Sequence, residues 1–144
     1  MKRTVRIAVL TATALTSSVG LAGGAAVKLP HKLTSPTGNF FTLYAFDQPT
    51  ASQPVASALM QVCASSHTPE PNTYIDPELF TLKLSNGKTV KLAKGAAHSP
   101  PLQLQHLNRL QCSTKGWISF DVPKGATAAT LEYDFNGTIS WAVG

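Results

Sequence analysis

Residues 80 to 92 read Phe80-Thr81-Leu82-Lys83-Leu84-Ser85-Asn86-Gly87-Lys88-Thr89-Val90-Lys91-Leu92. Apolar and polar side chains alternate on both sides of Asn86-Gly87, the period of two expected of half-buried strands. The Asn-Gly pair between them is a strong hairpin signal. The register follows from the side chains. A two-residue loop would pair Leu82 with Lys91 and Lys83 with Val90, sending lysines to the core face from one strand or the other. A three-residue loop, Ser85-Asn86-Gly87, pairs Leu82 with Val90 and Phe80 with Leu92. A one-residue slip turns every side chain to the opposite face, so burial decides for the longer loop. Gly87 then supplies the left-handed residue that closes such a loop.

The same short, alternating runs recur along the chain. Phe40 to Phe46 reads as a strand ended by Asp47-Gln48-Pro49. Val55 to Ala64 is almost continuously apolar, which suggests a central strand buried on both faces. A helix is its rival, because Ala, Leu and Met favour helices. Three prolines, Pro69, Pro71 and Pro77, make residues 65 to 77 a loop. Leu102, Leu104, Leu107 and Leu110 fit an irregular strand or a short helical turn after Pro100-Pro101. Ile118, Phe120 and Val122 alternate again, and Val122-Pro123-Lys124-Gly125 has the Pro and Gly placement of a type I turn. Leu131, Tyr133 and Phe135 face Ile139, Trp141 and Val143 across an odd-length loop with Gly137 inside it. Many short strands with turn residues between them indicate an all-β sandwich or barrel.

The beginning of the chain has a different character. Lys2, Arg3 and Arg6 precede an uncharged stretch from Ile7 to Ala22 and the small residues Gly23-Gly24-Ala25-Ala26. This is the layout of a secretory signal. The expectation is a cleavable signal at residues 1–26, with no transmembrane anchor left after cleavage and a secreted, extracellular product. Residues 27–38 contain Pro30, Pro36 and Gly38 and no aromatic side chain, so they are expected to form a flexible lead-in to a domain at 39–144. Twelve Lys and Arg against seven Asp and Glu give +5; losing Lys2, Arg3 and Arg6 leaves nine against seven, or +2. So small an excess argues against a nucleic-acid partner.

Two cysteines, Cys63 and Cys112, remain in an exported chain, and an even count in an oxidising compartment reads as a disulfide. Closing a loop of about 50 residues is worth roughly 4 kcal/mol in the chain-entropy account. Val62-Cys63-Ala64, then Glu78-Leu79-Phe80-Thr81-Leu82 leading to Asn86-Gly87, then Cys112, the segment Gly116-Trp117-Ile118-Ser119-Phe120-Asp121-Val122-Pro123-Lys124-Gly125, and a last strand bearing Trp141 follow one another in that order. Over residues 39 to 144 this resembles the secreted bacterial immunoglobulin-like domains of unknown function grouped with the immunoprotective extracellular proteins. The resemblance implies an immunoglobulin-like β-sandwich outside the cytoplasm and implies no activity. Trp117 follows the second cysteine, unlike the antibody arrangement, so the bridge need not pin two sheets together.

Residues for chemistry are sparse. His31, His67, His98 and His106 show no close ligand spacing of the kind zinc sites use, so no metal and no cofactor are expected. No Gly-x-Ser-x-Gly elbow occurs. Asp76, Glu78, Asp121, Glu132 and Asp134 contain the material for a carboxylate pair, yet the last three fall on outward strand positions. No catalytic residue is assigned. The expectation is a secreted or cell-envelope binding module without catalytic activity, its partner a cell-envelope polymer or another surface protein. The alternative is a hydrolase or metal-binding protein whose site gathers scattered His and carboxylate residues. Exposed aromatics on a flat surface favour the first, convergent His and carboxylates the second. Lys83, Lys88, Lys91 and Lys94, with no acid between them, mark the hairpin as a candidate face for an anionic ligand.

Overall fold

The computed structural model describes residues 25–66, 73–95 and 97–144. The expected signal at residues 1–26 therefore lies almost wholly outside the described residues, as does His67. Among the described residues ten strands carry the fold: β1 His31–Thr34, β2 Phe40–Asp47, β3 Val55–Cys63, β4 Thr73–Ile75, β5 Phe80–Leu84, β6 Thr89–Lys91, β7 Gln105–Leu107, β8 Gly116–Asp121, β9 Ala128–Asp134 and β10 Thr138–Ala142. The first sheet has the order β1-β2-β3-β8, the second β10-β9-β5-β6, and β4 pairs with β7 apart from both. All pairings between named strands are antiparallel. Two antiparallel sheets, with β3 beside β8 in one and β5 beside β9 in the other, pack together as an all-β sandwich.

The β5–β6 hairpin has the register expected from its alternation. Leu82 pairs with Val90 and Lys83 with Thr89. The Leu84 amide donates to the Lys88 carbonyl at 2.8 Å, leaving a three-residue loop. Gly87 sits at φ 81°, where a side chain is disfavoured. The β9–β10 hairpin also has a three-residue loop, with Tyr133 opposite Ile139 and Leu131 opposite Trp141. There Gly137 is the last loop residue, and Phe135 is left 41% exposed at the tip.

β3 runs between β2 and β8, so the apolar run at 55–64 is a strand and not its helical rival. Its inward positions Ala56, Ala58, Met60 and Val62 are fully buried. Between the sheets, Tyr133 lies 4.7 Å from Phe41 and 4.6 Å from Phe80, ring centroid to ring centroid. Aromatic pairs at such separations add to the gain from burial alone. Gly116 begins β8 where residues 101 and 102 cross it. A Cβ there would lie 2.4 Å from the Leu102 Cα.

Three local expectations need correction. Residues 27–38 are not a flexible lead-in. The Val27 amide donates to the Ala142 carbonyl at 2.8 Å, β1 pairs with β2, and Val27, Leu29 and Leu33 pack on the core. These apolar positions were too few to outweigh the prolines in a sequence reading. Within residues 65 to 77, the expected loop, Thr73–Ile75 forms β4, and β7 occupies Gln105–Leu107 in the ambiguous stretch. The turn after β8 begins at Pro123, not Val122. The Ala126 amide bonds to the Pro123 carbonyl, and Gly125 takes φ 84° at the third position, the type II requirement.

Cys63 and Cys112 are bonded. They join the end of β3 to the segment entering β8, two neighbours in one sheet, so the bridge is not an inter-sheet pin. No helix among the described residues is long and apolar enough to cross a membrane.

Candidate functional site

The hairpin lysines are exposed, but they do not act as one basic strip. Lys83 Nζ lies 2.8 Å from Glu132 Oε1 on the neighbouring β9. Thr81 pairs with Glu132 on one side and Lys91 on the other, so a carboxylate stands within the face that looked purely basic in sequence. Lys88, Lys91 and Lys94 remain exposed at and beyond the loop. Sequence order hid Glu132 because it is about 50 positions away from Lys83, whereas strand pairing brings the two together.

The histidines and carboxylates are dispersed. His31 is on β1, and His106 on β7 stacks 4.7 Å from Tyr74. His98 Nε2 is 3.1 Å from Asp47 Oδ2, and its ring lies 4.4 Å from that of Trp117. Asp121 belongs to the first sheet, while Glu132 and Asp134 belong to the second. Asp76 Oδ1 accepts from the Glu78 amide at 2.9 Å, capping a short 3-10 turn at Pro77–Leu79. Among the described residues no group of three or more His, Cys, Asp or Glu side chains is placed to hold a metal ion.

A cleft of about 410 Å3 opens where β6 and β8, the edges of the two sheets, approach each other. Leu92, Leu102, Leu104 and Trp117 line it, with Asp76 and Glu78 on its wall. Its volume lies within the range of small-molecule sites, but its two carboxylates have no histidine or lysine among the lining residues to work with.

The outer face of the first sheet concentrates the more distinctive groups. Residues directly opposite one another share a face. Lys32 is opposite Thr42 and Thr42 opposite Gln61, forming one outward row; Leu59 opposite Trp117 forms another. The register shifts between Leu43 and Ala45, so Tyr44 is the extra residue of a bulge. Bulges re-aim side chains. Here the Tyr44 hydroxyl donates to Gln61 Oε1 at 2.9 Å, and Gln61 Nε2 donates to the Ser113 carbonyl at 2.9 Å. Lys115 Nζ sits 3.8 Å above the Tyr44 ring, and Lys32 Nζ lies 4.9 Å from the Phe40 ring centre. Both are cation–π contacts, worth about 0.5–1 kcal/mol at exposed sites. Phe40, Tyr44 and Trp117 are each half-buried, with part of each side chain open to solvent.

Sequence reading missed this face. The alternation Phe40, Thr42, Tyr44 against the buried Phe41 and Leu43 was available as a signal. The bulge at Tyr44 and the reach of Lys115 across β3 were not. No protein family, curated protein or solved structure matches the chain.

Proposed function

We propose that this chain is a secreted or cell-envelope binding module without catalytic activity, an immunoglobulin-like domain of the kind its sequence resembles. The observation that carries this reading is the outer face of the first sheet. Three half-exposed aromatic side chains, Phe40, Tyr44 and Trp117, share it with Thr42, Gln61 and two lysines. Aromatic side chains offer large contact area with little rotamer entropy to lose, which suits a recognition surface. Tyr44 is further held by its bond to Gln61, so its orientation is set before any ligand arrives. The bonded Cys63–Cys112 pair fits export to an oxidising compartment. The test is retention of the exported, oxidised protein on envelope fractions, comparing wild type with Tyr44→Ala and Gln61→Ala. The reading predicts loss of retention in both variants with the fold intact by circular dichroism. Retention unchanged in both, or absent in the wild type, contradicts it.

A further inference from the structure

The two lysines of the aromatic face reach toward the same strand from opposite sides. Lys32 comes from β1 and stands over Phe40, while Lys115, just before β8, stands over Tyr44. Phe40 and Tyr44 both belong to β2, four residues apart. At the usual rise per strand residue the two residues beneath these ammonium groups are roughly 13 Å apart along β2. The Thr42 hydroxyl lies between them, and the Gln61 amide lies beside it on β3.

We infer that this face takes an anionic polysaccharide, a chain of sugar rings bearing repeated carboxylate or phosphate groups, laid along β2. The inference rests on the reading of this face as the binding surface, and adds the chemistry of its ligand. Charge complementarity carries it. The outward rows that hold Lys32, Thr42 and Gln61, and Leu59 and Trp117, contain no acid. The acids of this sheet, Asp47 and Asp121, point to the same side but lie beyond the Leu59–Trp117 row, opposite Ser57 and Val55 and away from the end that holds Lys32 and Thr42. From Thr42 to Asp47 is roughly 15 Å along the strand, and Asp47 is already engaged by His98 at 3.1 Å. The two ammonium groups stand over separate rings of β2, an arrangement that suits a polymer with repeated charges. The rings beneath the ammonium groups, with a hydroxyl and an amide between them, suit the mixed apolar and hydroxylated faces of sugars. The hairpin of the second sheet is the weaker candidate for the same ligand, because Glu132 neutralises Lys83 there. Nucleic acid, the other polyanion, is distinguished in the test.

The experiment titrates the exported, oxidised protein with polygalacturonate, with neutral dextran and a single-stranded DNA oligonucleotide as comparisons. It is run on wild type, on Lys32→Gln with Lys115→Gln, and on Lys88→Gln with Lys91→Gln. The inference predicts polygalacturonate binding that weakens as salt rises toward 0.15 M, where screening acts within about 8 Å. It predicts about tenfold weaker binding for the first pair, the scale of losing two exposed charge contacts, and no change for the second. Equal loss in both pairs, tighter binding of DNA, or dextran binding indifferent to the lysines overturns it. Retention on envelope material without binding to polygalacturonate also overturns the ligand class, while leaving the binding face standing. If Tyr44→Ala then leaves that retention unchanged, the reading of the face falls as well.

Discussion

Replacing Tyr133 with Phe tests the core between the two sheets at a single atom. Tyr133 is 3% exposed, and its hydroxyl has no hydrogen-bond partner. Burial pushes the Tyr133 pKa up to about 12; the Asp76 backbone offsets part of that rise, and the Asp76 carboxylate adds to it. A hydroxyl buried without a partner costs about 1–3 kcal/mol by comparison with other proteins. The ring contacts to Phe41 and Phe80 survive in Tyr133→Phe, so the variant should be more stable than wild type by about 1 kcal/mol at pH 7. For a domain of this size that is a rise of about 4 °C in Tm. The pH dependence gives a second readout. The unfolded chain releases the phenolic proton near pH 10, whereas the folded chain holds it to about 12. The unfolded state is therefore favoured progressively as pH rises through that window, and wild type loses up to about 3 kcal/mol from this one group. The variant lacks that loss. Urea unfolding of both proteins from pH 7 to 12, read as the difference between them, isolates the effect from the other tyrosines and the lysines. A Tyr133→Phe protein that is less stable at pH 7 by 1 kcal/mol or more, with no divergence above pH 10, refutes the reasoning and means that the hydroxyl has a partner.

Three further outcomes follow from the fold. Cys63→Ala with Cys112→Ala should cost about 4 kcal/mol in chemical unfolding, because the bridge closes a separation of 49 residues; a double variant that unfolds like wild type contradicts this. Gly116→Ala places a Cβ against the Leu102 backbone and should cost about 1–3 kcal/mol, the usual range for overpacking, measured by thermal melting. Lys83→Gln should cost no more than about 1 kcal/mol, as an exposed pair with Glu132 is worth little, and Lys88→Gln and Lys91→Gln should lie within about 0.5 kcal/mol of wild type.

The sheets were legible in the sequence wherever one face was buried and one was wet. Leu82 and Val90, or Tyr133 and Ile139, announce their partners because a slip by one residue would bury lysine, glutamate or aspartate. β3 carried no such alternation, so its strand character depended on its place between β2 and β8, which propensity does not encode. β1 was hidden by the flanking Pro30 and Pro36 and by the small size of its apolar set. The candidate site was the least legible part. Lys32, Tyr44, Gln61 and Lys115 come from four segments, and only strand pairing plus the bulge at Tyr44 gathers them. The lysine-rich hairpin stands out in the sequence because its charges are close together there, while the carboxylate that answers Lys83 arrives from β9.

The most direct test of the binding face is to map it. Backbone amide resonances of the oxidised protein, followed by NMR during addition of solubilised envelope polysaccharide, report which residues sense the ligand. The account predicts the largest shifts at Lys32, Thr42, Tyr44, Gln61 and Lys115, with the β5–β6 hairpin and the β9–β10 loop unmoved. Shifts centred on Lys88 and Lys91, or on the cleft beside Leu92 and Leu104, would contradict it.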